Sequence, residues 1–247
     1  MPAIVSHRGG LCVHAENSIE AFVWSAQQGF DEIEFDLHMT SDGGLVVFHD
    51  LVLQHTSHGF GEISQRTLAE LKATSLRGTT ETIPSFDDLL RAIASYPIGL
   101  RVELKRSRTK RPYANIFEPV VAALDRHGLR KRAVISSFEP EALVQFAESG
   151  FPTAIWYDRI QRPDQIELIE WLPQLARQGV RDIAIHVNEY TAERYRAASG
   201  AGFRLGIWTV NGQSRLDYWL RQPLDFLVTD QPDLAQSLRS KLAQKGE

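Results

Sequence analysis

The sequence predicts an α/β protein, a (β/α)8 TIM barrel with a small insertion after the second strand. Two observations carry that reading. Eight short apolar, β-branched runs recur along the 247 residues, and segments with helical periodicity fill most of the gaps between them, as parallel strands with crossover helices require. The eight units average about 31 residues, close to the size of a minimal strand and helix repeat in such a barrel. A doubly wound open sheet ranks second, since it usually needs fewer strands and a Gly-rich first turn.

The first run, Ala3–Ser6, leads to Ser18, an N-cap residue that opens a helix reaching Gln28. The second run, Glu32–Leu37, is followed by Asp42-Gly43-Gly44 and then Leu45–Phe48, which reads as a hairpin. A polar stretch rich in Gly, His, Thr and Ser continues to about Thr82, with Arg66–Ala73 as a short helix, so residues 51–82 form an insertion on one face of the barrel. The other runs are Ile98–Leu104, Ala133–Ser137, Thr153–Tyr157, Asp182–Val187, Arg204–Val210 and Phe226–Thr229. Helices are expected over Ser85–Tyr96, Tyr113–His127, Pro140–Ser149, Pro163–Gln178, Ala192–Ala201, Ser214–Arg221 and Pro232–Ala243. Several open with Ser or Pro and close before Gly. No linker or internal repeat interrupts the chain, which is read as one domain over residues 1–247.

Composition excludes several classes. With 43% hydrophobic and 23% charged residues the chain is ordinary for a globular protein. At this length one core buries roughly three quarters of the unfolded surface without help from disulfides. Cys12 is the single cysteine, which rules out an internal disulfide and a thiolate zinc cage. Lys and Arg number 27 against 31 Asp and Glu, with no basic block, so nucleic acid is not an expected partner. No apolar run reaches the ~18 residues of a membrane span. The start carries no secretory signal, and a cytoplasmic location is expected. A homo-oligomer stays open.

In such a barrel the chemistry lies at the C-terminal ends of the strands. Glu34 and Asp36 are two apart and share a face of their strand, and Glu103 and Lys105 repeat that spacing on the next one. Converging carboxylates repel and raise one another's pKa unless positive charge lies among them. A hard divalent cation, Mg2+ or Ca2+, would supply it; an ion-pair network with Arg8, Arg101 and Lys105 would do so without a metal. His7 and His49 each follow a strand directly beside a charged residue and suit shared acid and base work. Arg8 offers a forked donor for phosphate oxygens, and Gly9-Gly10 lets a ligand approach the backbone. Trp208 and Trp156 form an aromatic wall. His14, His38, His55, His58 and His127 read as peripheral, although His38 turns inward if its strand extends that far; His186 is a further substrate contact to test.

These residues fall in eight motifs: His7-Arg8-Gly9, Glu16-Asn17-Ser18, Glu34-Phe35-Asp36, Thr40-Ser41-Asp42-Gly43, Val47-Phe48-His49-Asp50, Glu103-Leu104-Lys105, Trp208-Thr209-Val210-Asn211 and Thr229-Asp230-Gln231-Pro232. In order and spacing they resemble the glycerophosphodiester phosphodiesterase family over nearly the whole chain. The resemblance implies a metal-dependent barrel hydrolase in which Glu34, Asp36 and Glu103 hold Mg2+ or Ca2+, His7 and His49 form the acid/base pair, and Arg8 and Lys105 bind phosphate. Trp208 is the expected further substrate contact. The implied substrate is a small-molecule glycerophosphodiester, cut to glycerol 3-phosphate and an alcohol. Three positions depart from the pattern: Ser18 replaces a threonine, Gln54-His55-Thr56 stands where an arginine-containing segment is common, and Arg101 replaces a smaller polar residue. The rival activity is a phospholipase D reaction on lysophospholipids or sphingolipids; a silent phosphodiester-binding protein is the rival outside enzymes.

Overall fold

The computed structural model describes residues 1–161 and 164–245. Eight parallel strands close into a barrel: β1 (Ala3–Ser6), β2 (Glu32–Met39), β4 (Gly99–Leu104), β5 (Ala133–Ser137), β6 (Thr153–Tyr157), β7 (Asp182–His186), β8 (Arg204–Trp208) and β9 (Phe226–Thr229). Pairing of β1 with both β2 and β9 closes the ring. The short strand β3 (Leu45–Val47) adds antiparallel to the end of β2, as the hairpin reading required. Helices α1 (Ile19–Gln27), α2 (Leu68–Lys72), α3 (Phe86–Ile93), α4 (Phe117–Arg126), α5 (Val144–Glu148), α6 (Leu168–Arg177), α7 (Ala192–Gly200), α8 (Gln213–Leu220) and α9 (Pro232–Lys245) accompany the strands.

Alternation along the strands decides which side each residue faces. Ile33, Phe35, Leu37, Val102 and Leu104 point outward and join the buried layer between barrel and helices. Their neighbours Glu34, Asp36, Arg101 and Glu103 point inward. The insertion carries a small core of its own, in which Leu53, Ile63, Leu71, Leu76 and Ile83 pack on Val46 and Phe48. Ser18 keeps the capping function of a hydroxyl residue, since its Oγ accepts from the Ala21 backbone N–H.

Several boundaries differ from the sequence reading for local reasons. The second strand runs on to Met39 because β3 pairs with its end, His38 opposite Val46 and Met39 opposite Leu45. The helix expected from Tyr113 begins at Phe117, since Asn115 takes a left-handed φ of 61°. The Pro140–Ser149 segment splits into a 3-10 turn and α5. Pro163, the expected start of the next helix, lies outside the described residues; α6 starts at Leu168, after Gln165 with φ 47°.

Arg101 corrects the ion-pair expectation. It shares the inward face of β4 with Glu103, yet its side chain reaches the opposite end of the barrel. There its Nη2 lies 2.9 Å from Glu32 Oε2 and 3.4 Å from Asp182 Oδ2, and its guanidinium stacks 4.0 Å from the centre of the Phe226 ring. The Phe226 ring in turn covers Gly206, where an added Cβ would stand 2.1 Å from its Cε2 atom. Glycine is required there by close approach. We expect Gly206→Ala to cost about 3 kcal/mol in urea unfolding by overpacking the interior, with part of the loss recovered by adding Phe226→Leu. A cost under about 0.5 kcal/mol would show that the ring moves aside freely.

Candidate active site

The register of the barrel brings the acidic residues together. Asp36 and Glu103 are direct partners across β2 and β4, and Glu34 lies one inward step before Asp36. One oxygen from each of the three lies within 4.8 Å of the others, and all three residues are buried. Positive and polar groups surround them. Lys105 Nζ lies 2.8 Å from Glu103 Oε1 and 3.2 Å from Asp36 Oδ1. Arg8 Nε lies 3.6 Å from Asp36 Oδ2, and the Arg8 backbone N–H donates to Glu34 Oε2. Asn17 Nδ2 donates to Asp36 Oδ2 at 2.9 Å.

These neighbours divide the charge unequally. Burial raises the pKa of Asp36, but Lys105, His49 and Arg8 outweigh it and hold the carboxyl well below its usual range. Glu34 moves the other way: burial first, then repulsion from Asp36 and Glu103, push it well above the ordinary value, with Arg8 offsetting only part. Burial disfavours the charge on Lys105, yet Glu103 and Asp36 raise its pKa and keep it an ammonium.

Arg8 reaches this place through a tight turn after β1. It takes a left-handed conformation, φ 50° and ψ 31°, in a single 3-10 turn. Gly9 follows at φ 83°, packed so closely on α1 that a Cβ would stand 2.7 Å from Ala21 Cβ. The turn aims the guanidinium back over the carboxylates, where Glu16 also holds Nη1 at 3.2 Å.

Each imidazole is backed by a carboxylate. His7 Nδ1 lies 2.5 Å from Asp230 Oδ1, which leaves its Nε2 turned toward Glu34, 3.8 Å away. Asn211 Nδ2 donates to the other Asp230 oxygen, and the Asn211 Oδ1 accepts from Thr229 Oγ1 and the Asp230 N–H. His49 Nδ1 lies 2.7 Å from Asp50 Oδ1. In both dyads the ionised carboxylate fixes a proton on Nδ1, so Nε2 is the atom free to exchange one.

A cavity of about 440 Å3 opens above the acids, and His7, Arg8, His49, Glu103, Lys105 and Trp208 all line it. Glu34 and Asp36 lie buried beneath. The expected residues therefore meet in one place. The Trp208 ring meets Trp156 and Phe138 edge-on at 5.4 and 5.6 Å, forming an aromatic wall in the cavity, with the Arg106 guanidinium 5.2 Å from the centre of the Phe138 ring. His186 packs edge-on against Trp208, with ring centres 4.9 Å apart, and is not a cavity-lining residue.

Four residues that touch the site carry no role in the sequence alone. Asp230 and Asn211 are separated from His7 by most of the chain. His38, expected to turn inward only if its strand extended that far, does so and lines the cavity. Its Nε2–H donates to the His49 carbonyl at 3.1 Å and its Nδ1 accepts from Tyr113 OH at 2.8 Å. Burial first, and then the Lys105 ammonium, push its pKa down to about 4, so it stays neutral. His55, read as peripheral, lies 2.7 Å from the second oxygen of Asp50.

Comparison with known proteins agrees with this geometry. The sequence pattern of the glycerophosphoryl diester phosphodiesterase family matches residues 7–234. A glycerophosphodiester phosphodiesterase of Caldanaerobacter subterraneus subsp. tengcongensis is 25% identical over 246 residues, covering 96% of this chain and 98% of that protein. A solved structure from Agrobacterium tumefaciens is similar with a TM-score of 0.92 at 26% identity, covering 99% of each chain. A phosphodiesterase of Oleispira antarctica, solved in complex with the product sn-glycerol-3-phosphate, gives 0.84 at 26% identity over 97% of each chain. With both histidines and the three buried acids inside the matched span, the chain belongs to the glycerophosphoryl diester phosphodiesterase family of phosphoric diester hydrolases.

Proposed function

We propose that the cavity hydrolyses glycerophosphodiesters to sn-glycerol 3-phosphate and an alcohol, with Mg2+ or Ca2+ held by Glu34, Asp36 and Glu103. The observation that carries this reading is the placement of two carboxylate-backed imidazoles on one cavity above three buried acids. The donor set fits such an ion: it consists of hard oxygens, and Glu34 Oε1 is buried without a hydrogen-bond partner among the described residues. When bound, the ion would draw negative charge from the phosphoryl oxygens.

The chain's own groups supply the rest. Arg8 and Lys105 place fixed positive charge where the phosphodiester anion must lie, and this counts for rate only where it strengthens in the transition state. The glycerol hydroxyl next to the ester oxygen attacks phosphorus while one imidazole takes its proton at Nε2. The other imidazole delivers a proton from Nε2 to the departing alkoxide, leaving a cyclic phosphate and free alcohol. Water then opens the ring with the two roles exchanged. Asp230 and Asp50 stabilise each imidazolium in turn. Trp208, with Trp156 and Phe138, gives the uncharged part of the substrate an aromatic surface.

His7→Ala and His49→Ala are each expected to lower turnover by about 10²–10⁴-fold, read as glycerol 3-phosphate released from glycerophosphocholine. A chelator abolishes the activity and Mg2+ or Ca2+ restores it. Wild-type rates in either variant remove that histidine from the reaction, and preferential cleavage of lysophosphatidylcholine reassigns the substrate to the lipid class.

Glu34 gives a second, activity-independent expectation. Its raised folded pKa means that the metal-free native state binds a proton there more tightly than the unfolded chain does. Stability without metal therefore falls as pH rises through that folded value. Removing the charge with Glu34→Gln raises the metal-free melting temperature at alkaline pH by about 3 °C and abolishes the stabilisation that divalent ions give the wild type. Calorimetry with and without Mg2+ checks both; a variant no more stable than wild type at high pH contradicts the assignment of the strained charge to Glu34.

A further inference from the structure

Asp50 carries two imidazoles. Its Oδ1 lies 2.7 Å from His49 Nδ1, and its Oδ2 lies 2.7 Å from His55 Nδ1. The two rings have different surroundings. His49 lines the large cavity, whereas the His55 side chain is 70% exposed and borders a separate cleft of about 250 Å3 shared with His14, Glu16, Thr56 and Arg77. Burial disfavours ionisation of Asp50, but the hydrogen bonds and charges of both imidazoles outweigh it and hold its pKa below the usual range. Asp50 is thus an anion shared between the reaction site and a solvent-facing ring.

We infer that His55 is a positioning residue for the hydrolysis: by holding the second oxygen of Asp50, it fixes the orientation of His49 and sets how firmly His49 keeps its proton. The inference rests on the reading of His49 as a proton-transfer group. Rotation of a carboxylate about its last torsion is soft, so a single hydrogen bond leaves Asp50 free to turn. Two partners on opposite oxygens remove that freedom. The same geometry divides the negative charge of Asp50, and whatever His55 takes is withheld from His49.

The remaining charged groups leave this coupling in place. Around His55, Glu16 of the first loop is engaged by Arg8 at 3.2 Å, His14 lies 3.6 Å from Glu20, and Arg77 comes from the insertion. Around His49, Asp36 acts on it through space, His7, Arg8, Glu103, Lys105 and Arg106 share its cavity, and the neutral His38 holds its carbonyl. None of them touches the second oxygen of Asp50 within ion-pair distance among the described residues.

The sign of the effect separates a charge-sharing role from a merely structural one. With His55→Ala, Asp50 turns its full charge on His49, which then holds its proton to higher pH. With His55→Arg, a permanent cation takes a larger share, and His49 releases its proton at lower pH. We would assay both variants and His49→Ala with glycerophosphocholine from about pH 5 to 9 and follow the His49 ring nitrogens by 15N NMR in the Mg2+-supplied full chain. The expected result is an upward move of the His49 midpoint by about half a pH unit in His55→Ala and a downward move in His55→Arg. In His55→Ala, kcat falls about tenfold while KM changes little. Midpoints that stay fixed, or that move the same way in both variants, overturn the inference. If His49→Ala is inactive and His55→Ala retains full kcat, this inference alone fails; full turnover in His49→Ala overturns the assignment of His49 as well.

Discussion

Three buried carboxylates held within 4.8 Å of one another are the constraint around which the rest of the molecule is arranged. Left alone, such a group would take up protons on one or two of its members or would refuse to fold ionised. The chain answers with Lys105 and Arg8 as fixed cations and Asn17 as a neutral donor. These suffice to keep Asp36 ionised and leave Glu34 strained. That residual strain is what a divalent cation would relieve, so the cost of the crowded acids and the proposed affinity for an ion would share one origin.

The barrel is the device that creates this crowding. Residues two apart on β2 and β4 stack inward, while their neighbours bury themselves against the helices and supply the hydrophobic stabilisation. Closure matters equally. His7 and Asp230 are 223 positions apart and meet because β1 and β9 pair. One of the two dyads therefore exists only when the first and last strands are joined. The other, His49 with Asp50, is mounted on the hairpin that precedes the insertion.

Much of this was legible from spacing alone. The starts of seven of the eight barrel strands fall where the apolar runs begin, and Glu34, Asp36, Glu103 and Lys105 face one another as a period of two demands. Depth was not legible. Arg101 has the right parity to join Glu103, but its long side chain bends to the far end of the barrel, toward Glu32, Asp182 and Phe226. The extent of pairing was equally hidden: Asp42-Gly43-Gly44 signals the hairpin, but not that β3 prolongs β2 past Leu37 and so turns His38 inward. His55 was read as a surface histidine, and it is one by exposure; its significance lies in a hydrogen bond to Asp50 that only the folded insertion provides.

The proposed function depends first on a cation held by the buried acids beneath two imidazoles. Crystals soaked in Mn2+ and measured for anomalous scattering test it most directly. We expect one strong peak at about 2.0–2.6 Å from an oxygen of Glu34, Asp36 and Glu103 alike. No peak among those oxygens, with Lys105 and Arg8 left to compensate the acids, would contradict it.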